Sequence, residues 1–322
     1  MNARPAAAAL LLATAGLWVP PIGALSSGNQ AVTLEQVLTA GARYVETYQR
    51  AFSAVVSEEL YTQRLVGPIA SPGGDRRTLR SDVLLMHVKN AGWVTFRDVL
   101  EIDATKVRDR DDRLVALIVK PPPDAGTQLV RIAEESARFN LGPVSRTLNT
   151  PFLALVFLTA DGQPRSGFRL VRTARVDGQA TAEVEFTEQA EPRLILTRDN
   201  ARATGRFWIS PDTGAVLRSE LSVTSGGSAV KVLVNYKLQE RLSLLVPVTM
   251  EENYELGGGE TPVRGEYGTS SSRIEAHATY TNFRMFNVDT STIIKKQGST
   301  APRVRETRPG AAATRRPAGR SR

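Results

Sequence analysis

The reactive side chains of this chain are few. It carries two histidines and no cysteine among 322 residues. Without cysteine there is no thiolate nucleophile, no thiolate metal site and no disulfide. His87 interrupts the apolar run from Val83 to Val88, where it reads as a histidine satisfied in the core or at a sheet edge. His277 stands between Glu275 and Thr279 on the polar side of an alternating segment and reads as a surface residue. A Ser-His-Asp triad would have to use one of these two, and no Gly-x-Ser-x-Gly elbow accompanies either. Adjacent acids occur at Glu58-Glu59, Asp111-Asp112, Glu134-Glu135 and Glu251-Glu252. Glycoside hydrolysis needs two carboxylates facing one cleft, about 5–10 Å apart, whereas neighbours on a strand point to opposite faces. Glu183 and Glu185 share a face, and that face reads as the solvated one. Glu134 and Glu135 lie beside Arg131 and Arg138 on a helical segment, as ordinary surface ion pairs do. Gly257, Gly258 and Gly259 lack the Gly-Lys-Ser/Thr of a phosphate loop. These residues give no catalytic assignment and no metal or cofactor site. A hydrolase using the carboxylates or His87 stays as the enzymatic alternative.

The ends of the chain bound where it works. One charge, Arg4, precedes an apolar run from Ala6 to Val19, shorter than the roughly 20 residues that cross a bilayer. Pro20 and Pro21 end the run, and Ala24 and Ser26 put small residues at the minus-three and minus-one positions of a cleavage site. Residues 1–26 are therefore expected to be a signal peptide cleaved near Ser26. The mature protein is expected in the periplasm or secreted, without a lipidated N-terminal cysteine. The formal net charge of +8 is uneven, because residues 297–322 hold seven arginines and one glutamate. That Arg/Pro/Ala-rich tail reads as disordered, with an anionic envelope surface as one contact and plain solubilisation as the other reading. Residues 27–296 are near neutral, which excludes a general electrostatic case for nucleic acid. They form one domain, large enough for a sizeable core, and are expected to be monomeric.

The pattern within that domain is α+β. Thr33 caps a helix that ends near Ala51, with Leu34, Val37, Leu38, Tyr44, Val45 and Tyr48 at helical spacing. Residues 53–66 look extended, with Val56, Leu60 and Thr62 on one face. Residues 67–74 are a loop, and two strands over 77–89 and 92–102 meet at Asn90-Ala91-Gly92. Asp109, with Asp112 three residues on, opens a short helix closed by Pro121, and a second helix runs from Ala125 to Asn140. A third takes Thr150 as cap and Pro151 at its first position, with an all-apolar body from Phe152 to Leu158. Strands follow: Phe168 and Leu170; Ala182, Val184 and Phe186; then a pair around the tight turn Pro211-Asp212-Thr213-Gly214. Leu221 and Val223, Val230 to Tyr236, Leu244 to Met250, and Ile274 to Tyr280 continue the alternation, with a Gly/Ser-rich loop at 257–272. About 10–11 strands with short late connections make a mainly antiparallel, curved sheet under three or four helices, one face wet and one buried.

A sheet with an apolar face needs a cover. If the helices leave room, the inner face is a cleft for an acyl chain, lipid or hydrophobic peptide; if they fill it, the shape suits a module that binds a protein. The candidate lining is Phe152, Leu155 and Phe157 from the third helix. The sheet adds Leu217, Leu221, Val232, Val234 and Tyr236, then Val248, Met250, Ala278 and Tyr280. No metal and no cofactor is expected.

The segment Gly205-Arg-Phe-Trp-Ile-Ser-Pro-Asp-Thr-Gly-Ala-Val-Leu-Arg218 resembles a strand–turn–strand of the lipoprotein-localisation (LolA/LolB-like) superfamily, and Ala278-Thr-Tyr-Thr-Asn-Phe-Arg284 resembles its final strand. The resemblance spans most of residues 31–290. It implies an unclosed barrel with helical lids and a hydrophobic cavity that carries lipid or acyl chains in the periplasm. The chain departs from that pattern in its length and its arginine-rich tail, so a lipid-carrying or envelope-sensing relative is the expectation.

Overall fold

The computed structural model describes residues 32–51, 54–72, 75–88, 92–107, 113–142, 149–197, 199–257, 260–263, 266–269 and 271–286. The leader, the Asn90-Ala91 turn, Asp109, Asp112 and the tail lie outside the described residues.

Helix α1 (Leu34–Ala51) begins on a reciprocal cap. The Gln36 amide N–H donates to Thr33 Oγ1 at 3.3 Å, and the Thr33 N–H donates to Gln36 Oε1 at 3.1 Å. Two N–H groups that the first turn leaves unbonded are thereby satisfied. Val37, Gly41, Val45 and Tyr48 recur every three or four residues and form its buried face.

Eleven strands make one sheet in which every pairing is antiparallel. Strands β1 (Ala54–Val66), β2 (Asp75–Val88), β3 (Gly92–Ile102) and β4 (Thr105–Lys106) run outward to one edge. Strands β5 (Ser166–Val176), β6 (Gln179–Glu188), β7 (Ala203–Ile209), β8 (Val216–Ser225), β9 (Ser228–Gln239) and β10 (Leu244–Leu256) form a meander to the other edge. The last strand, β13 (Ser272–Phe286), lies between β1 and β10 and joins the two halves. Residues 257–272, expected as a loop, contain a separate hairpin of β11 (Glu260–Val263) and β12 (Glu266–Thr269).

The sheet is unclosed and strongly curved. Trp93 on β3 and Tyr236 on β9 lie five strand spacings apart, about 24 Å on a flat sheet. Both nevertheless touch Phe152, with ring centroids at 4.5 and 6.1 Å. The sheet therefore wraps around the Phe152 segment.

The helices divide between the two faces. Val83 and Leu85 of β2 belong to the inner core with Val37, Val45, Tyr48 and Phe157. Leu84 and Met86 point outward and meet Leu114, Leu117 and Ile118 of α2 (Arg113–Val119) and Leu129 and Ile132 of α3 (Ala125–Ala137). Burial on both faces explains the unbroken apolar run in β2. It corrects the expectation of one wet and one buried face: that holds for the meander, while β1–β3 carry helices outside. The expected third helix is a 3-10 segment, Leu153–Leu158. Its start uses the Thr150 carbonyl, which accepts from Leu153 N–H at 3.0 Å, and not the Thr150 hydroxyl. At six residues the segment exceeds the roughly three to four at which most 3-10 runs stop.

The Pro211–Gly214 turn docks on α1. Gly214 has φ +74°, and a Cβ there would lie 2.2 Å from the Ala40 carbonyl oxygen. Gly178, at the β5–β6 turn, has φ +80° but nothing within 4 Å of its Cβ direction. Gly178→Ala is expected to lose only the left-handed preference, about 1 kcal/mol. Gly214→Ala should lose clearly more, because the turn must also lift off the helix; equal losses in urea denaturation would refute the steric part of this account.

Candidate functional site

Ten of the twelve expected lining residues meet inside the curve of the sheet. Phe152, Leu155, Phe157, Leu221, Val232, Val234, Tyr236, Met250, Ala278 and Tyr280 all belong to the inner core and are buried. The other two sit at β-bulges. Leu217 is skipped in the β7–β8 register, where Trp208 faces Arg218 and Ile209 faces Val216, and it packs on the outer face with Trp208 and Val176. Val248 is skipped between Pro247 and Thr249 opposite β9 and is only partly buried. One extra residue reverses the facing of its neighbours, so a strict two-residue count misplaces both.

The concave face is occupied by protein. α1 and the 3-10 segment supply Val37, Val45, Tyr48, Phe152, Leu155 and Phe157, and their rings pack in series. Tyr44 stacks on Tyr48 at 5.7 Å, Tyr48 meets Trp93 at 5.6 Å, and Phe157, Phe186 and Phe207 stack at 4.6 and 5.0 Å. Polar ties are short. Tyr48 donates to the Leu245 carbonyl at 2.5 Å, Tyr236 to the Pro151 carbonyl at 2.5 Å, and Gln163 Nε2 to the Leu38 carbonyl at 2.8 Å. Burial first, and then the Tyr44 and Tyr236 hydroxyls, hold Tyr48 well above the usual phenol range. Two surface depressions among the described residues lie elsewhere. One is an open groove of about 620 Å³ along the start of α1, by Glu35, Arg43 and Asp212; the other, about 210 Å³, lies by Val176, Leu217 and Leu238.

Within this interior lies a charged cluster that hydropathy alternation did not announce. The inner face of β1 is Val55, Ser57, Glu59, Tyr61, Gln63 and Leu65, opposite to the expected set, and Leu60 is exposed. Glu59 is fully buried and pairs with Arg97 of β3: Nη2 donates to Oε1 at 2.8 Å, and Nε donates to Oε2. The Arg97 guanidinium sits 5.2 Å over the Tyr61 ring, a cation–π contact. Tyr61 donates to Glu252 at 3.2 Å. Gln63 donates to the Phe139 carbonyl and accepts from the Leu141 N–H at 2.8 Å, which holds the chain leaving α3 over the concave side. Burial works against the Arg97 cation, but the Glu59 charge and its hydrogen bonds outweigh it, and the guanidinium titrates above its ordinary range. Burial, followed by the Glu59 charge, raises Tyr280 in the same cluster.

The acids singled out in the sequence divide. Glu59, Glu252 and Glu183 are buried: Arg97 and Tyr61 reach the first two across an intervening strand, and Arg172 and Arg206 hold Glu183 from the adjacent strands. On the outer face Arg113 of α2 is bidentate to Asp98 at 2.7 and 2.9 Å and reaches Glu135 of α3 at 3.1 Å, clipping both helices to β3. The Asp98 hydrogen bond is the first cause of the raised Arg113 pKa. His277 is exposed, across from Glu251. His87 is half-buried, edge-on to Trp93 at 5.1 Å, and burial lowers its pKa. Among the described residues no group of three metal-ligating side chains comes together.

Arg97→Met strands a buried carboxylate and is expected to cost about 3–5 kcal/mol. Glu59→Leu with Arg97→Met should recover much of that loss, and chemical denaturation of both variants checks it. A double variant no better than the single would mean that the pair contributes more than mutual compensation. For His87 the folded pKa lies below the unfolded value of 6.5, so the unfolded chain binds more protons as pH falls past that value. Stability should therefore decline between about pH 7 and pH 5. His87→Asn should flatten that slope; an unchanged slope would assign it to the carboxylates.

No protein-family model matches the chain, and no curated protein matches it. Among solved structures it is similar to a putative outer membrane lipoprotein-sorting protein domain from Vibrio parahaemolyticus, at 11% identity over 80% of this chain and 96% of that one, with a TM-score of 0.40. It is also similar to a DUF1329 family protein from Desulfovibrio piger, at 12% identity over 82% and 98% of the two chains, with a TM-score of 0.38. A chain of the Pseudomonas aeruginosa MucA/MucB complex matches at 11% identity over 79% and 98%, with a TM-score of 0.19.

Proposed function

We propose that this chain is an extracytoplasmic, non-enzymatic binding protein. It holds a hydrophobic ligand, a lipid or acyl chain, between the concave face of the half-barrel and the cover formed by α1 and the 3-10 segment. The carrying observation is the nature of that seam. Val37, Val45, Phe152, Leu155 and Phe157 meet Val184, Phe207, Leu221, Val234 and Met250 in one apolar cluster. Such contacts are non-directional. An apolar chain of similar volume can replace these side-chain contacts as long as the Tyr48–Leu245 and Tyr236–Pro151 hydrogen bonds persist, since an unbonded buried polar group is the costly outcome. The leader-like apolar run from Ala6 to Val19 supports a place outside the cytoplasm. The interior carboxylate speaks for structure and not for hydrolysis, since Glu59 is held on a guanidinium inside the sheet.

A second reading has its own observation. The concave face is filled, with Phe152 and Phe157 at 1% and 0% exposure. A filled half-barrel suits an interaction or sensor module whose partner is a protein.

Native mass spectrometry of the chain purified gently from an envelope extract, with organic extraction of what it carries, separates the two. Acyl lipid at near one per chain is the expected result. An apo mass unchanged after incubation with lipid would overturn the carrier reading and leave the interaction module. Val232→Asp and Leu221→Asp, each on the inner face, should abolish folding or ligand retention. Survival of both properties would remove this face as the binding surface.

A further inference from the structure

The outer face of the meander alternates in charge strand by strand. β5 carries Arg169 and Arg172, β6 Glu183 and Glu185, β7 Arg206, β8 Glu220, β9 Lys231 and Lys237, and β10 Glu251 and Glu255. Arg218, the exception on β8, lies over the Trp208 ring and donates to Asn235. The face as a whole is balanced, so the neighbours of each charge decide what it can do. Glu183 lies between Arg172 and Arg206, and Glu185 between Arg169 and Arg206. Arg206 in turn stands between those acids and Glu220. Arg169 and Arg172 have an acid on one side only, because β5 is the last strand of the sheet. Their side chains are 67% and 68% exposed, against 42% for Arg206. Asp177, just past the strand, is held by Lys237. Glu220 is three strand spacings from β5, roughly 14 Å, beyond the screening length of about 8 Å at physiological salt. The concave side of β5 is incomplete in the same way. Phe168 and Leu170 are only partly buried, whereas Phe186 and Val184 beside them on β6 are fully covered. α1 meets β5 from this concave side, with Leu34 and Leu38 in the same cluster. Among the described residues no strand pairs with the outer edge of β5.

We infer that the free edge of β5 takes up an extended acidic segment of a partner protein as a further strand. In strand addition the edge backbone supplies the hydrogen bonds and alternate side chains supply the specificity. Here acidic residues face outward beside Arg169 and Arg172, and apolar ones face inward beside Phe168 and Leu170. A second copy does not fit, because β5 carries no acid and pairing it with itself sets arginine against arginine. Residues 297–322 do not fit either, with seven arginines and one glutamate. Charged side chains and bulges, such as the one at Val171, keep sheet edges from pairing indiscriminately. An acidic strand turns the charge from a barrier into an attraction. The inference concerns the edge alone and rests on neither reading of the seam.

The test uses the full chain and end-blocked octapeptides that alternate valine with glutamate or with lysine, followed by fluorescence anisotropy at low and physiological salt. The glutamate peptide is expected to bind, more weakly as salt rises, and the lysine peptide is not. Hydrogen exchange should slow in β5 and not in β10. Methylating the peptide nitrogens keeps every charge but removes the donors of the added strand, and should abolish binding. Retained affinity would mean charge contact without strand addition and would refute the inference. Arg169→Gln leaves Glu185 its Arg206 partner, so it should melt like the parent, yet bind the glutamate peptide up to about fivefold more weakly. Lys231→Gln, on β9, should bind like the parent. Equal weakening by the two variants would assign the contact to the whole face and overturn the edge. A parent that binds neither peptide, or both alike, overturns it as well.

Discussion

The ion pair between Glu59 and Arg97 constrains how every nearby strand can sit. Taking two charges out of water costs several kcal/mol per ion, repaid only when the pair and its hydrogen bonds are complete. The two residues are on β1 and β3, with β2 between them, and small Ser81 stands beside Glu59 on β2. A one-residue slip of β1 would carry Glu59 to the outer face and bring Leu60 in. The register then passes on: Glu59 lies beside Tyr280 and Tyr61 beside Ala278 on β13, and Ala278 lies beside Met250 on β10. The register of this one pair thereby carries through to the arrangement of the concave face across five strands.

Where burial and hydropathy agree, the sequence is a good guide. The α1 helix with its Thr33 cap, the alternation of Ala182, Val184 and Phe186, the Pro211–Gly214 turn and the doubly buried Val83–Met86 run are all legible in it. Legibility fails where a different force sets the facing. β1 buries Ser57, Glu59 and Gln63, so its apolar pattern points the wrong way and the charged cluster goes unseen. Its partners come from β3, β10 and the chain after α3, and no local window holds them. Leu217 and Val248 are misplaced by bulges, which insert a residue without any sign in composition. That Leu114 and Leu129 belong to helices is readable; that those helices lie outside the sheet is a tertiary fact.

The two ends of the sheet are therefore different materials. At β1–β3 the sheet lies between two apolar layers, with Arg113 joining strand, α2 and α3 on the outside. At β5–β9 the sheet has one apolar layer and one ionic layer. The first end has the makings of a rigid frame, and the second keeps an open face while its inner side holds the 3-10 segment.

The position of β13 has a consequence for how the chain comes together in time. A ribosome or a translocation channel delivers β1 more than 200 residues before its partner, and in the interval β1 offers an unpaired edge, a template for pairing with other chains. The meander from β5 to β10 can assemble from neighbours as it emerges, but the two halves become one body only when residues 272–286 arrive. Closing so long a loop is entropically slow, which makes the junction the last part of the fold to form and a chain shortened by one strand two half-sheets with bare edges.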